Sequence, residues 1–274
     1  MDFAHAYLSQ LEAFAARAPL PRVKALHLPA DPGPGAERGE FCALELDDGS
    51  VGLSYVLLDD TLAALRGTRL DTGGDALALA RLYAHGRGAP RTLGLAAANA
   101  LTRCLFDRAG FVPPASGDSI AELAPQAGQT LGMVGFFKPL VPRIVATGAR
   151  LVIVELRAEL AGDFDGYRVT LDPAELQGCS AVLATGTLLL NDTLDDVLAH
   201  VRGTPRVALI GPSLGCLPDA LFARGVTSIG GSWITDPAAF VRTLPAGALR
   251  SAHARKCTLT PATYPGFDAL LARL

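Results

Sequence analysis

The stretch VALIGPSLGCLPDALFARG, residues 207–225, decides the fold. Four apolar residues lead into a glycine-rich turn and then a helical run, so a strand feeds a helix through a loop. The turn, Gly211-Pro212-Ser213-Leu214-Gly215, matches the G-x-S-x-G nucleophile elbow letter for letter. Asp219, Asp236 and His253 follow in the order a triad would need. Pro218 removes that reading. An elbow starts its helix directly after the serine, which would put Pro218 inside the helix, without an N–H and against the Leu214 carbonyl, at about 3 kcal/mol or more. Pro218 fits at or near the first helical position, with Cys216 or Leu217 as the cap. Ser213 then lies in an extended loop and is at most a hydrogen-bonding contact. Cys216 is placed at the helix start, where the dipole favours a thiolate, or else packs as a small residue at the turn, since no histidine base lies nearby in sequence.

The same rhythm runs through residues 126–274. Apolar runs at 130–136, 150–155, 181–185, 206–211 and 227–231 show no alternation, as in strands buried on both faces. Helical runs at 139–147, 191–201, 218–224 and 237–244 follow most of them. Strands alternating with helices predict a parallel, doubly wound, Rossmann-like sheet.

Residues 1–125 read differently. Phe3, Tyr7, Leu8, Leu11, Phe14 and Ala15 share one helical face, ended by Pro19 and Pro21. Strands are expected at 23–28, 41–46 and 51–58, the last two joined by the turn Asp47-Asp48-Gly49-Ser50. A Gly/Pro-rich loop is expected at 30–39, and helices at 60–65, 75–84 and 92–106. The expected whole is an α/β protein: a small α+β domain over 1–125, then the Rossmann-like domain over 126–274, divided within 115–129.

Composition narrows the function. The net charge of the 274 residues is -3, with lysine and arginine scattered. Nucleic-acid binding needs clustered positive charge, so no nucleic-acid partner is expected. No signal-peptide pattern opens the chain, and no apolar run approaches the roughly 20 residues of a membrane span. A cytoplasmic location without membrane contact is the expectation, with homodimerisation the default assembly. The five cysteines, Cys42, Cys104, Cys179, Cys216 and Cys257, form no C-x-x-C pair and read as small buried hydrophobes, with Cys216 the exception.

Ligands of open parallel sheets bind outside the carboxyl ends of the strands. Gly135 turns the first of these strands, and Glu155 ends the next, where an acid commonly holds a ribose hydroxyl pair. Thr185, Gly186 and Thr187 close another, and Asn191 or Asp192 opens the following helix as a candidate cap. Ser213, Gly215 and Cys216 belong to the opening stretch. Gly231 permits a close backbone approach, and Trp233 is the single tryptophan. Asn99 interrupts a helix of small residues, and a buried asparagine needs partners. His253, Arg255 and Lys256 form either a small anion site or a solvated segment. No acid–base–nucleophile set stands out, so no catalytic residue is assigned.

Four stretches, RTLGLAAANAL (residues 91–101), GMVGFFKPLVPRI (132–144), ATGTLLLNDTLDD (184–196) and GPSLGCLPDALFARGVTSIGGSWITDP (211–237), carry a resemblance. The chain resembles the bacterial and archaeal two-domain proteins of the heavy-metal-chelation family. That resemblance implies an enolase amino-terminal-like domain joined to a Rossmann-like domain, with a ligand site in the cleft between them. Residues 30–39 and 158–177 are less typical of it. The leading expectation is a binding protein that holds a heavy or transition metal ion, or a metal complex of a small anionic ligand, between the domains, with Glu155 and Cys216 as direct ligands. The alternative is an enzyme that binds a nucleotide-like or phosphorylated cofactor at the strand ends.

Overall fold

The computed structural model describes residues 1–30, 40–117, 123–246 and 252–274. Residues 31–39 of the loop expected over 30–39, and residues 118–122 of the expected domain boundary, lie outside the described residues. The first half opens with α1 (Phe3–Arg17), where Asp2 caps the helix by accepting from the His5 N–H and the predicted apolar face is buried. Strands β1 (Val23–His27), β2 (Phe41–Leu46) and β3 (Val51–Tyr55) form an antiparallel meander in that order. Gly49 takes φ +87° in the β2–β3 turn, a conformation that costs glycine little. Three helices follow: α2 (Thr61–Gly67), α3 (Ala76–His85) and α4 (Ala89–Arg108).

Helix α4 is the spine of this half, and its small residues explain why. Ala96, Ala97, Ala98 and Ala100 are buried along it. A Cβ on Gly52 of β3 would overlap the backbone of Ala96 and Ala100, and a Cβ on Gly94 would overlap the backbone of Tyr83 on α3. Strand, helix and helix therefore touch backbone to backbone.

In the second half β4 (Thr130–Val134), β5 (Arg150–Val154), β7 (Tyr167–Thr170), β8 (Ala181–Thr185), β9 (Val207–Ile210) and β10 (Ser228–Ile234) are parallel. Two antiparallel strands flank them, β6 (Gly162–Phe164) beside β7 and β11 (Ala254–Leu259) beside β10. The order is β11-β10-β9-β8-β4-β5-β7-β6. Both faces of the central strands β4, β8 and β9 are buried, which is why these read as unbroken apolar runs. Val182 and Ala184 of β8 join a core that runs from Phe3 to Leu270, while Ala181 and Leu183 join a second core on the opposite face. The first core contains residues of both halves, so they share one interior.

The helices of this half are short: α5 (Val141–Val145), α6 (Leu194–His200), α7 (Asp219–Phe222), α8 (Pro237–Thr243) and α9 (Phe267–Leu271). The β5–β7 connection, residues 155–166, departs furthest from a doubly wound fold. It holds a single 3₁₀ turn (Ala158–Leu160) and β6, where a crossover helix is usual. The expected anion segment around His253 runs into β11, with Arg255 donating to the Pro113 carbonyl at 2.7 Å.

One buried amide ties the halves together. Asn99 of α4 donates from Nδ2 to the Leu53 carbonyl on β3 and to the Ser213 carbonyl in the second half, both at 2.8 Å. Its Oδ1 accepts from the Tyr7 hydroxyl at 3.2 Å. Asn99→Ala leaves two carbonyls and a hydroxyl without that partner in a dry interior, a cost of about 2–4 kcal/mol, read as a lower denaturation midpoint. Gly52→Ala forces β3 off α4 and costs about 3 kcal/mol by the same measurement.

Candidate functional site

From β4 the chain moves to β5 on one side, and later returns to β8 on the other. The reversal falls between β4 and β8, and in sheets of this kind the carboxyl ends at such a reversal are the place where ligands bind. Gly135 sits there at φ +85°, and a Cβ on it would lie 3.1 Å from Thr185 Cγ2. These two predicted residues therefore pack against each other at the strand ends.

Glu155 stands beside them. Its Oε2 accepts from the Phe136 N–H at 3.1 Å. Its Oε1 accepts from the Leu156 N–H at 2.9 Å and the Arg157 N–H at 3.4 Å. The side chain of Glu155 is 14% exposed, and Arg157 Nε lies 3.8 Å from Oε1. A carboxylate offers about four lone-pair positions, so roughly one remains open to a ligand. The first half adds Tyr55 from the end of β3. Burial raises the Tyr55 phenol above its usual range, the nearby Arg157 guanidinium pulls it down, and Glu155 and Glu40 push it up. Glu155, Arg157 and Tyr55 thus form one electrostatic neighbourhood drawn from both halves. Tyr55 and Arg157 were not singled out by sequence reading. A tyrosine at a strand end carries no distinguishing pattern, and Arg157 could have been found only as the cation two residues beyond the strand-end acid.

The remaining hydroxyls and amides serve local turns. Thr185 Oγ1 accepts from the Thr187 N–H at 3.2 Å and the Thr187 hydroxyl at 3.1 Å. Asn191 Oδ1 accepts from the Thr193 hydroxyl at 2.6 Å and N–H at 3.3 Å. Asn191 precedes α6 without capping it, because the N-cap is Thr193. Gly186 packs against Leu214, whose Cγ would lie 3.0 Å from a Cβ there.

Ser213, Gly215, Cys216, Gly231 and Trp233 lie along the seam between the halves. Ser213 Oγ accepts from the Tyr55 N–H at 3.0 Å. A Cβ on Gly215 would touch Asn99 at 3.4 Å, and one on Gly231 would press the Leu214 carbonyl oxygen at 2.8 Å. Trp233 stacks on Phe106 and carries the Arg103 guanidinium 3.8 Å from its ring centroid, while Arg103 donates to the Ile234 carbonyl. The void left in this seam is about 40 Å³, enough for a water or two.

The elbow reading stays excluded, since α7 begins at Asp219, six residues after Ser213. Asp219 accepts from the Tyr264 hydroxyl at 2.8 Å and Asp236 caps α8. The expectation for Cys216 is corrected. The N-cap is Pro218, so Cys216 precedes the helix, and a four-residue helix offers little dipole. Cys216 is 1% exposed, and burial pushes its thiol up to about 12.

These residues do not fit a heavy-metal centre. Among the described residues, no three His, Cys, Asp or Glu side chains converge so as to hold a metal ion. All five cysteines are buried as free thiols, and burial raises each of them. Cys216 lines the seam void and Glu155 does not, so the expected pair forms no joint ligand set. No helix among the described residues is long and apolar enough to cross a membrane.

Two family models match the chain, over residues 39–102 and 119–263, and both carry the description "Putative heavy-metal chelation". An uncharacterized protein of Methanocaldococcus jannaschii is 31% identical over 152 residues, 53% of this chain and 55% of that protein. The chain thus spans about half the length of that curated relative. Two crystal structures of proteins of unknown function from the DUF364 family share the fold. The one from Desulfitobacterium hafniense has a TM-score of 0.65 at 18% identity, and the one from Pyrococcus horikoshii 0.65 at 16%. Each covers 93% of this chain and 99% of its own. The chain belongs to the DUF364 family, whose model carries the heavy-metal-chelation description.

Proposed function

We propose that the protein binds a small anionic organic ligand at the carboxyl edge of the sheet, at the mouth of the seam between its halves. The carrying observation is the grouping of Glu155, Arg157 and Tyr55 beside the Gly135–Thr185 contact at the strand ends. Arg157 supplies a cation for an acidic group, the open position on Glu155 accepts from a hydroxyl or amine, and Tyr55 offers a protonated phenol. Chelation, in the sense of the family description, then falls to donors on the ligand, which arrives with its metal already held.

One observation favours a second reading. The order β7-β5-β4-β8-β9-β10 repeats the arrangement of dinucleotide-binding sheets, with a strand-end acid 20 residues after Gly135. The segment after Gly135 is only a 3₁₀ turn (Lys138–Leu140) and the five-residue α5, a poor phosphate cradle. The second reading therefore narrows to a nucleoside carrying little phosphate.

Thermal-shift titration with hydroxy- and aminocarboxylates, alone and as metal complexes, and with nucleosides and nucleotides, tests both. A carboxylate is expected to raise the unfolding midpoint, with affinity at least tenfold weaker in Arg157→Ala and Tyr55→Phe and unchanged in Cys216→Ala. A shift produced only by nucleosides favours the second reading. A shift that survives both site variants, or no shift at all, overturns the site.

The thiols give an independent check. At pH 8 a thiol titrating near 12 is about one part in ten thousand thiolate, so the native protein is expected to react slowly with a disulfide reagent and to yield all five thiols only when unfolded. One fast native thiol, lost in Cys216→Ser, would restore Cys216 as a soft ligand. Because folding raises these values above the usual 9, stability falls as pH climbs from about 9 towards 12.

A further inference from the structure

No crossover helix covers the second core between β5 and β7. The space left there is a groove of about 650 Å³, within the size range of organic-ligand pockets. It is walled by Phe136, by Val141 and Val145 of α5, by Leu160, and by Phe164 and Tyr167 of the β6–β7 hairpin. Its rings form a row: Phe164 stacks on Tyr167 at 4.7 Å and 9°, and Tyr167 meets Phe136 at 6.2 Å. Gly166 sets the width. It turns the hairpin at φ +80°, and a Cβ on it would lie 2.5 Å from Val145 Cγ1, so the turn rests directly on α5.

The two segments that hold the Glu155 carboxylate also build this groove. Phe136 gives its N–H to Glu155 Oε2 and its side chain to the groove wall. Arg157 gives its N–H to Glu155 Oε1 and leads straight into the Ala158–Leu160 turn, whose Leu160 is another wall residue. The groove is therefore continuous, through its own walls, with the neighbourhood of Glu155, Arg157 and Tyr55.

We propose, resting on the acid-binding site described above, that the groove takes a ring carried by the same ligand, which makes that ligand an aryl-substituted hydroxy- or aminocarboxylic acid. Its acidic group meets Arg157, its hydroxyl or amine meets Glu155, and its ring lies along the row of Phe136, Tyr167 and Phe164. A bare hydroxy- or aminocarboxylate would leave this apolar strip in water. Phe164 is 48% exposed, and a ring laid on the strip withdraws apolar surface of both partners from solvent. A ring suits these walls better than an alkyl chain, because aromatic groups gain from offset-stacked and edge contacts beyond the area they bury.

Calorimetric titration of the full chain with two matched pairs, lactate against 3-phenyllactate and alanine against phenylalanine, reads the outcome. In at least one pair the phenyl member is expected to bind about tenfold or more tightly than its partner. Phe164→Ala and Leu160→Ser, each checked for a native circular-dichroism spectrum, are expected to remove most of that advantage and to leave the unsubstituted member unchanged. Arg157→Ala is expected to weaken both members alike. Equal binding within both pairs, or an advantage that survives both groove variants, overturns the groove as part of the site and leaves the acid-binding reading standing. An advantage lost in the groove variants but indifferent to Arg157→Ala places an apolar molecule in the groove alone and overturns the joined site. No binding by any of the four compounds overturns it as well, and the wider thermal-shift panel then decides the acid-binding reading separately.

Discussion

The carboxamide of Asn99 sets the spacing of everything around it. Its N–H groups reach Leu53 and Ser213 at 2.8 Å, and its oxygen holds Tyr7. Those distances are possible only because α4 lies against β3 at Gly52 and against the 211–217 loop at Gly215. The polar bond and the absent side chains are one constraint: a Cβ at Gly52 would move the carbonyl that Asn99 needs. The consequence reaches the site. With the halves held this closely, the void in the seam is about 40 Å³, an order of magnitude below an organic-ligand pocket. The proposed ligand, to meet both halves, would have to sit at the mouth of the seam.

At that mouth the polar residues divide into two kinds. Thr185 and Asn191 are engaged by their own turns, and Ser213 is engaged by Tyr55. Glu155 is engaged as well, yet its three backbone donors leave one position open, and Arg157 and Tyr55 face the same neighbourhood. A carboxylate fixed by backbone amides is well placed for recognition, because its orientation costs no further entropy when a ligand arrives.

Legibility follows the range of the forces involved. The five predicted parallel strands are all present, because burial on both faces writes an apolar run that needs no distant information. Pro218 correctly excluded the serine elbow, since a proline clash is local. β6, β7 and β11 were not predicted. They are short or carry charge, as in Asp163 and Lys256 on the two edge strands, where charge is tolerated, and Arg168 on β7, and a propensity reading discounts such segments. Asn99 was legible as a residue that needs partners, but its partners lie 46 and 114 positions away. Cys216 stood between two readings for a similar reason. The helix start suggested exposure and a low thiol, whereas tertiary packing buries it at 1%. Tyr55 carried no signal, because its significance comes from the other half of the chain.

The family description and the chemistry of the thiols can be brought together. A soft metal held by protein needs several thiolates or imidazoles converging on one point, each deprotonated as it binds. In this chain the cysteines are dispersed at positions 42, 104, 179, 216 and 257, each inside apolar packing that keeps the proton on sulfur. Gathering them would mean dismantling the core that holds the two halves together. Glu155, Arg157 and Tyr55 ask for nothing of the kind, since they already lie at an accessible edge. A protein built this way can still act on metals if it recognises the organic molecule that carries them. Selectivity for the metal would then reside in the donors of that molecule, and selectivity for the molecule in a cation, an oriented carboxylate and a phenol.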